Sequence, residues 1–484
     1  MAAARRRLRY SCVPEPAPGC RFGVFTAVPV QKFSRYVESL RDAKLPDGVR
    51  HAARRCLIDW FATTIPGGIR PPATLLCRAL AGELDRGGAV LVPGGRRALP
   101  RAAALINGCA SHTVEFDDIF RDAIYHPGSP VISAALAVAQ GRRAGGERLL
   151  RAIVAGYEVS TRIGAAVTPS HYEYWHTTGT VGAFGAAAAA SSLLDLDADQ
   201  VGHALANAAT LAAGLQQAFR SDAMGKPLHA GRAAETGVLV ALAAAAGVTG
   251  AQAMLDGPRG FGNAMSENVD WDAATSDLGK RFNITRTTQK NHACCGHTFA
   301  ALDAIIELRE AHALDADQVR RIRVGTYAKA LEVTGNFAPR TGYEAKFSLP
   351  YCASVALMEG RVRLDAFDRE HLEDASIRAL MARVELYVDE AADSGFPRQR
   401  AAVVEITTRA GERLGFRAPT RKGDPDHPLS DAELVDKFRE LAAPVTGEAA
   451  CENLLDALWR IDVLDDTGTL FTPAPNLQAA GATD

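Results

Sequence analysis

Apolar residues recur at helical spacing from near Gln31, where the folded part of the chain is expected to begin. Val49, Ala52, Ala53, Cys56, Leu57, Trp60 and Phe61 form one stripe, the face an amphipathic helix turns toward a core. Ala89 to Val92, followed by Pro93-Gly94-Gly95, reads as at most a short hairpin arm. From Arg101 to about Val248 the helical period is nearly continuous. Ala183 to Leu194 and Arg232 to Ala246 consist mostly of Ala, Gly, Val and Leu, which suits interior helices that approach closely. The pattern changes after Asp277. Val319 to Val324, Val384 to Val388 and Val403 to Ile406 alternate as strands do, and Ala300 to Ala313 and Leu349 to Met358 are helical runs between them. Helical spacing returns from Ser430, through Leu434, Phe438, Leu441, Leu454, Leu455 and Leu458. No internal repeat is visible.

These patterns predict a mainly α fold. A large all-helical domain is expected over 31–280 and 419–465, with a smaller α+β domain, 281–418, inserted into it. Residues 1–30 read as a disordered leader and 466–484 as a loose tail.

Composition narrows the class of function. The 484 residues are 47% hydrophobic and 23% charged, with a net charge of -2, which is ordinary for a globular protein and speaks against nucleic acid as a partner. No apolar run is long enough to span a bilayer, so no membrane role is expected. Nine cysteines without regular spacing point to a reducing compartment, and the cytoplasm is the expected location. Arg5-Arg6-Arg7-Leu8-Arg9 has the character of a targeting segment, but Pro14, Pro16, Pro18 and Gly19 break it early.

Candidate chemistry gathers at helix ends. Gly225-Lys226-Pro227-Leu228-His229 opens the second Ala-rich stretch. Proline suits a first helical turn, so free N–H groups and the positive end of the helix dipole surround Lys226 and His229. His112-Thr113-Val114-Glu115-Phe116-Asp117-Asp118 is expected to close a helix that starts near Pro100, with His112, Glu115 and Asp118 on one side. His126 precedes Pro127 and is therefore held on extended backbone. His176 leads into the first Ala-rich helix. Each group alone has a plain structural reading. Together, four histidines, a lysine and three acids offer proton transfer beside a cationic cradle, as chemistry on a polycarboxylate requires. His292-Ala293-Cys294-Cys295-Gly296-His297 has metal-capable side chains, but adjacent cysteines do not readily reach one tetrahedral zinc, so no metal is expected there.

The chain resembles the MmgE/PrpD family, which includes 2-methylcitrate dehydratase, cis-aconitate decarboxylase and iminodisuccinate epimerase. The resemblance runs from about Lys32 to Leu464. It rests on Asn107-Gly108, His112 to Asp118, His126-Pro127, Gly156-Tyr157-Glu158, His176, and Lys226-Pro227-Leu228-His229 with Gly231-Arg232-Ala233-Ala234. Phe261-Gly262, Cys295 with His297, Phe347-Ser348-Leu349-Pro350-Tyr351, Lys422-Gly423 and Pro428-Leu429-Ser430 complete it.

The resemblance implies that the smaller domain is a lid, that the assembly is a homodimer, and that catalysis uses no metal or organic cofactor. It implies catalytic roles for Glu115 or Asp118, His126, His176 and Lys226, with Tyr351 contributed from the lid. Many relatives carry aspartate at the position of Glu115, and a polar residue at that of Ile119.

The expected function is a cofactor-independent lyase that removes a proton next to a carboxylate of a small di- or tricarboxylic acid. Lys226, Arg121, His229 and His297 would bind substrate, and His126 and His176 would divide the roles of base and acid. Loss of hydroxide gives a dehydratase, the preferred reading; loss of CO₂ gives a decarboxylase, and return of the proton to the other face an epimerase. A relative that only binds a carboxylate or a partner protein is the alternative of another class.

Overall fold

The computed structural model describes residues 29–219, 221 and 223–470. The expected leader lies outside these residues except for Pro29 and Val30, which open a helix and are buried. The expected tail lies outside them except for 466–470. There Thr467 N donates to Ala144 O at 2.9 Å, so this stretch lies against the body of the protein.

The longer helices are α1 (Pro29–Leu40), α2 (Asp47–Gly68), α3 (Pro100–Thr113), α4 (Gly128–Arg142), α5 (Gly146–Val167) and α6 (Thr177–Leu193). They continue with α7 (Ala198–Leu211), α8 (Gly225–Ala245), α9 (Phe299–His312), α10 (Leu349–Glu359), α11 (Asp431–Thr446) and α12 (Glu448–Trp459). Every residue of α6 is buried, as its all-round apolar composition demands. It packs against α4, α5 and α8, and α8 packs in turn against α3. Glycines set these approaches. A Cβ on Gly231 would lie 2.3 Å from Leu105 O of α3, and one on Gly237 would lie 2.4 Å from the Ala186 carbonyl carbon of α6. Backbone therefore meets backbone on both faces of α8.

The hairpin arm is present as β1 (Leu84–Val90) paired antiparallel with β2 (Arg97–Ala98). A four-stranded sheet follows from β3 (Val319–Thr326), β4 (Val384–Val388), β5 (Ala402–Thr408) and β6 (Arg413–Ala418), in the order β4-β3-β5-β6. β3 pairs parallel with β4 and antiparallel with β5, so Val324 faces Leu386 on one side and Val404 on the other. Strand β6 has no counterpart in the apolar pattern. It is an edge strand, and only Leu414 and Ala418 are buried along it. Helix α9 lies against β5 and β6 and also packs on α10.

Ser430 and Glu433 form a reciprocal capping box that starts α11. Helix α11 then packs along α2, and α12 packs on both. No helix among the described residues is long and apolar enough to cross a membrane.

Candidate active site

Helix α3 ends at Thr113, and the backbone turns sharply at Glu115, whose φ is +59°. Glu115 and Asp118 thus leave the helix rather than share a side of it, which corrects the expectation from sequence. A positive φ is unfavourable for a side chain as large as glutamate, so the surroundings must hold it. Lysines do so. Lys346 Nζ donates to Val114 O at 2.6 Å, Lys290 Nζ to Glu115 O at 2.7 Å, and Lys437 Nζ to Phe116 O at 2.7 Å. Three successive carbonyls each accept from a different lysine. A fourth, Lys226, pairs with the Glu115 carboxylate, and Lys290 Nζ stands 3.5 Å from its other oxygen. The chain has only nine lysines among 54 basic residues, and four of them converge on this loop.

The charges follow from burial and these contacts. Burial alone would push the Glu115 carboxyl up, but Lys226 and then Lys290 outweigh it and hold it at about 2. Asp117 Oδ2 lies 2.6 Å from His112 Nδ1 and accepts from Ser129 Oγ at 2.9 Å. His126 Nδ1 is 3.3 Å from the same oxygen but off the line of a hydrogen bond. Burial lowers the His126 imidazole to about 4 despite the pull of Asp117, so the ring is neutral near pH 7. His176 sits at the first position before α6 without capping it, and its Nδ1 is 3.2 Å from His229 Nδ1. Burial, then His112 and Lys226, hold His176 well below the ordinary imidazole value.

These groups face one cavity of about 290 Å³, lined by Glu115, His126, His176, Lys226, Lys290, Cys295, His297, Tyr343, Phe347 and Arg400 among others. Of the residues expected from sequence, it therefore brings together Glu115, His126, His176, Lys226 and His297. His229 is not on the wall but backs His176.

Three expected residues are placed elsewhere. Asp118 accepts from Tyr157 Oη at 2.7 Å and from Gly128 N at 2.9 Å, behind the His126-Pro127 segment. Burial and Asp59 push its carboxyl up to about 8. The Arg121 guanidinium is taken by Asp426 at 2.8 Å, with Asp424 at 3.5 Å. Tyr351 is fully buried and donates to Ala366 O at 2.5 Å, because its helix α10 turns that face to the core.

The side chains of the 292–297 segment diverge. His292 Nε2 meets Asp303 Oδ1 at 2.9 Å, Cys294 Sγ meets Thr298 Oγ1 at 3.2 Å, and His297 Nδ1 meets Tyr327 Oη at 2.7 Å. Among the described residues, His112, Asp117 and His126 alone bring three metal-capable atoms within 4.8 Å of one another. The 2.6 Å separation of Asp117 from His112 is a hydrogen-bond length. It is shorter than the roughly 3.3 Å edge of a tetrahedral zinc ligand set, so the group fits a proton better than an ion.

Lys290, Lys346, Lys437 and Arg400 were not singled out from sequence, and Asp117 entered only as one acid of the 112–118 stretch. The scarcity of lysine beside abundant arginine is the signal that reaches three of them. Lysines that are scarce in the sequence yet placed in the interior, as Lys226, Lys290 and Lys437 are, serve defined contacts.

Residues 31–274 match the MmgE/PrpD N-terminal domain and residues 292–461 the MmgE/PrpD C-terminal domain. The chain is 26% identical over 461 residues to the cis-aconitate decarboxylase-like protein oryM of Aspergillus oryzae, covering 90% of this chain and 95% of that protein. It is 29% identical over 394 residues to cis-aconitate decarboxylase of Homo sapiens, covering 77% and 79%. It is 24% identical over 460 residues to cis-aconitate decarboxylase of Aspergillus terreus, covering 90% and 94%.

Proposed function

Because the chain belongs to the MmgE/PrpD family, we propose that it is a cytoplasmic lyase acting on a small di- or tricarboxylate without metal or organic cofactor. The observation that carries this reading is the pairing, in one cavity, of buried lysines with neutral imidazoles. A polyanion entering the cavity meets Lys226 and Lys290 as fixed cations. His126 and His176 are unprotonated near pH 7 and can take a proton. A bound carboxylate raises their affinity for it, so either can also return one.

The names carried by the relatives favour decarboxylation of an unsaturated tricarboxylate over the dehydration preferred from sequence. In such an acid the bond to the departing carboxylate breaks, and its electron pair forms a new double bond. The pair of the old double bond is taken up by a proton at the carbon next to a second carboxylate. One CO₂ leaves and one proton enters. Negative charge spreads into that second carboxylate as an enediolate, where Lys226 and Lys290 stabilise it. A histidine that has gained a proton delivers it to carbon. Dehydration in the same cavity would use one histidine as base and the other as acid toward hydroxide.

The same reading takes 281–418 as a lid inserted into the helical domain and the assembly as a homodimer, which sedimentation at micromolar concentration reads directly. After treatment with EDTA, the protein is expected to release CO₂ from cis-aconitate. It should also place one deuterium from D₂O in the product. Turnover of 2-methylcitrate or citrate instead would make it a dehydratase, and exchange into an aspartate-derived imine an epimerase. Activity lost on chelation and restored by one divalent metal would overturn the cofactor-free mechanism. Binding without turnover of any of these acids would leave a binding protein.

A further inference from the structure

Arg400 lies on the cavity wall and is only 3% exposed, yet no carboxylate pairs with it among the described residues. Its protein contacts account for little of its charge. One Nη donates to Arg121 O at 3.2 Å, the guanidinium lies 5.7 Å from the Phe396 ring centroid, and the buried Nε has no partner. Burial and then the neighbouring Arg421 both act against its charge. Asp424 is hydrogen-bonded to Arg421 at 2.6 Å and supports the Arg400 charge only from a distance, less than Arg421 opposes it. A buried, unpaired guanidinium is costly to keep, and this one lines the cavity.

Arg400 and His297 line this part of the cavity, and Phe396 and Tyr327 are in contact with them. Phe396 stacks on Tyr327 with ring centroids 4.6 Å apart. Tyr327 Oη lies 2.7 Å from His297 Nδ1, and burial pushes that phenol up to about 12, so it keeps its proton. Burial, then Arg400 and Arg421, hold the His297 imidazole well below its ordinary value, so it is neutral on the cavity wall. Arg400, Tyr327 and Phe396 all come from the sheet-bearing part of the chain, whereas His126, His176 and Lys226 come from the helical part.

We propose that Arg400 is the specificity-determining residue of the site, binding a substrate carboxylate at a carbon whose bonds do not change. This rests on the polycarboxylate reading above and adds to it that the substrate carries one carboxylate more than the chemistry consumes. The planar fork of arginine suits a carboxylate bound through both oxygens.

The test uses the full chain and tricarballylate, a non-reacting tricarboxylate, together with its terminal and central monoamides, each titrated by calorimetry. Wild type is expected to bind one of the two monoamides about ten- to a hundredfold more weakly than the triacid. In Arg400→Gln the triacid should weaken to the level of that monoamide, so the preference disappears. Arg400→Lys, which keeps the charge but not the fork, should recover part of it. With a reacting acid, Arg400→Gln should raise KM and leave kcat near wild type. An undiminished preference in Arg400→Gln, or a fall in kcat with KM unchanged, would overturn the subsite. If Arg400→Gln does not fold, Arg400→Lys decides, since an undiminished preference there also overturns it. If wild type binds neither triacid nor monoamides, the polycarboxylate reading fails first.

Discussion

Replacing His126 with alanine is expected to lower kcat by about 10²–10⁴-fold, the usual cost of removing a positioned acid or base. His176→Ala should do the same, because both rings are buried, neutral and on the cavity wall. For whichever of them moves the proton to or from carbon, deuterium exchange from solvent should stop as well. Lys226→Ala should act differently, through the loss of a charge-assisted contact worth about 1.5–3 kcal/mol. That corresponds to a fall of about ten- to a hundredfold in kcat/KM.

The pH profile of kcat/KM separates these roles, since it reports groups of the free enzyme. The basic form of His126 is the neutral one, and burial lowers its pKa to about 4. Activity that uses His126 as a base should therefore persist as pH falls through 6 and decline only on approaching 4, whereas activity that needs its protonated form should rise over the same range. Asp117 raises that value, so Asp117→Asn should move the limb lower still. An acid limb at 6.5 that vanishes in His126→Ala would contradict this environment for the ring. Near-normal turnover in the double variant lacking His126 and His176, with loss in His297→Ala, would move the chemistry to the other end of the cavity.

The second large effect is expected from Lys437→Met, although Lys437 does not face the cavity. Its Nζ meets Asp59 Oδ1 at 2.6 Å, Phe116 O at 2.7 Å and Lys290 O at 3.1 Å, and both charged side chains are fully buried. Removing the lysine strands the Asp59 carboxylate and two carbonyls in the core. Breaking a buried pair in this way costs about 3–5 kcal/mol. Urea denaturation should show a loss of unfolding free energy of that size, read as a lower midpoint, and the double variant with Asp59→Leu should regain much of it. Turnover should remain impaired in the double variant, since Phe116 and Lys290 still lose their tether. A double variant with both stability and kcat restored would mean the lysine serves packing alone.

The helical period was readable because α3 to α8 are long and strongly patterned, and strands β3, β4 and β5 because they alternate. Edge strand β6 escaped although Leu414, Phe416 and Ala418 alternate, because the run is short and is interrupted by Gly415 and two arginines. In the site, Lys226 and His176 were legible from their places at helix starts, and His126 from the proline after it. The sharp turn at Glu115 was not, because a left-handed glutamate is imposed by four distant lysines rather than by local sequence. Distance in the chain also explains Arg121 and Arg400. An arginine beside the acidic loop drew notice, yet its guanidinium is occupied by Asp426, and the arginine that faces the cavity follows almost three hundred residues later.

The glycine contacts of α8 bear on how such an enzyme could change its substrate over time. Gly231 and Gly237 leave no room for even one carbon between α8 and its neighbours α3 and α6. The spacing from Lys226 to His176 and to the Glu115 turn is thus inherited as a fixed gauge, because any larger residue there would part the helices. Arg400 stands outside that gauge, on the segment leading into β5 rather than at a helix contact. Divergence among enzymes built on this frame should therefore accumulate on the sheet-bearing wall, with the proton-handling wall left as it is. Libraries meant to alter the acid accepted have their useful positions there.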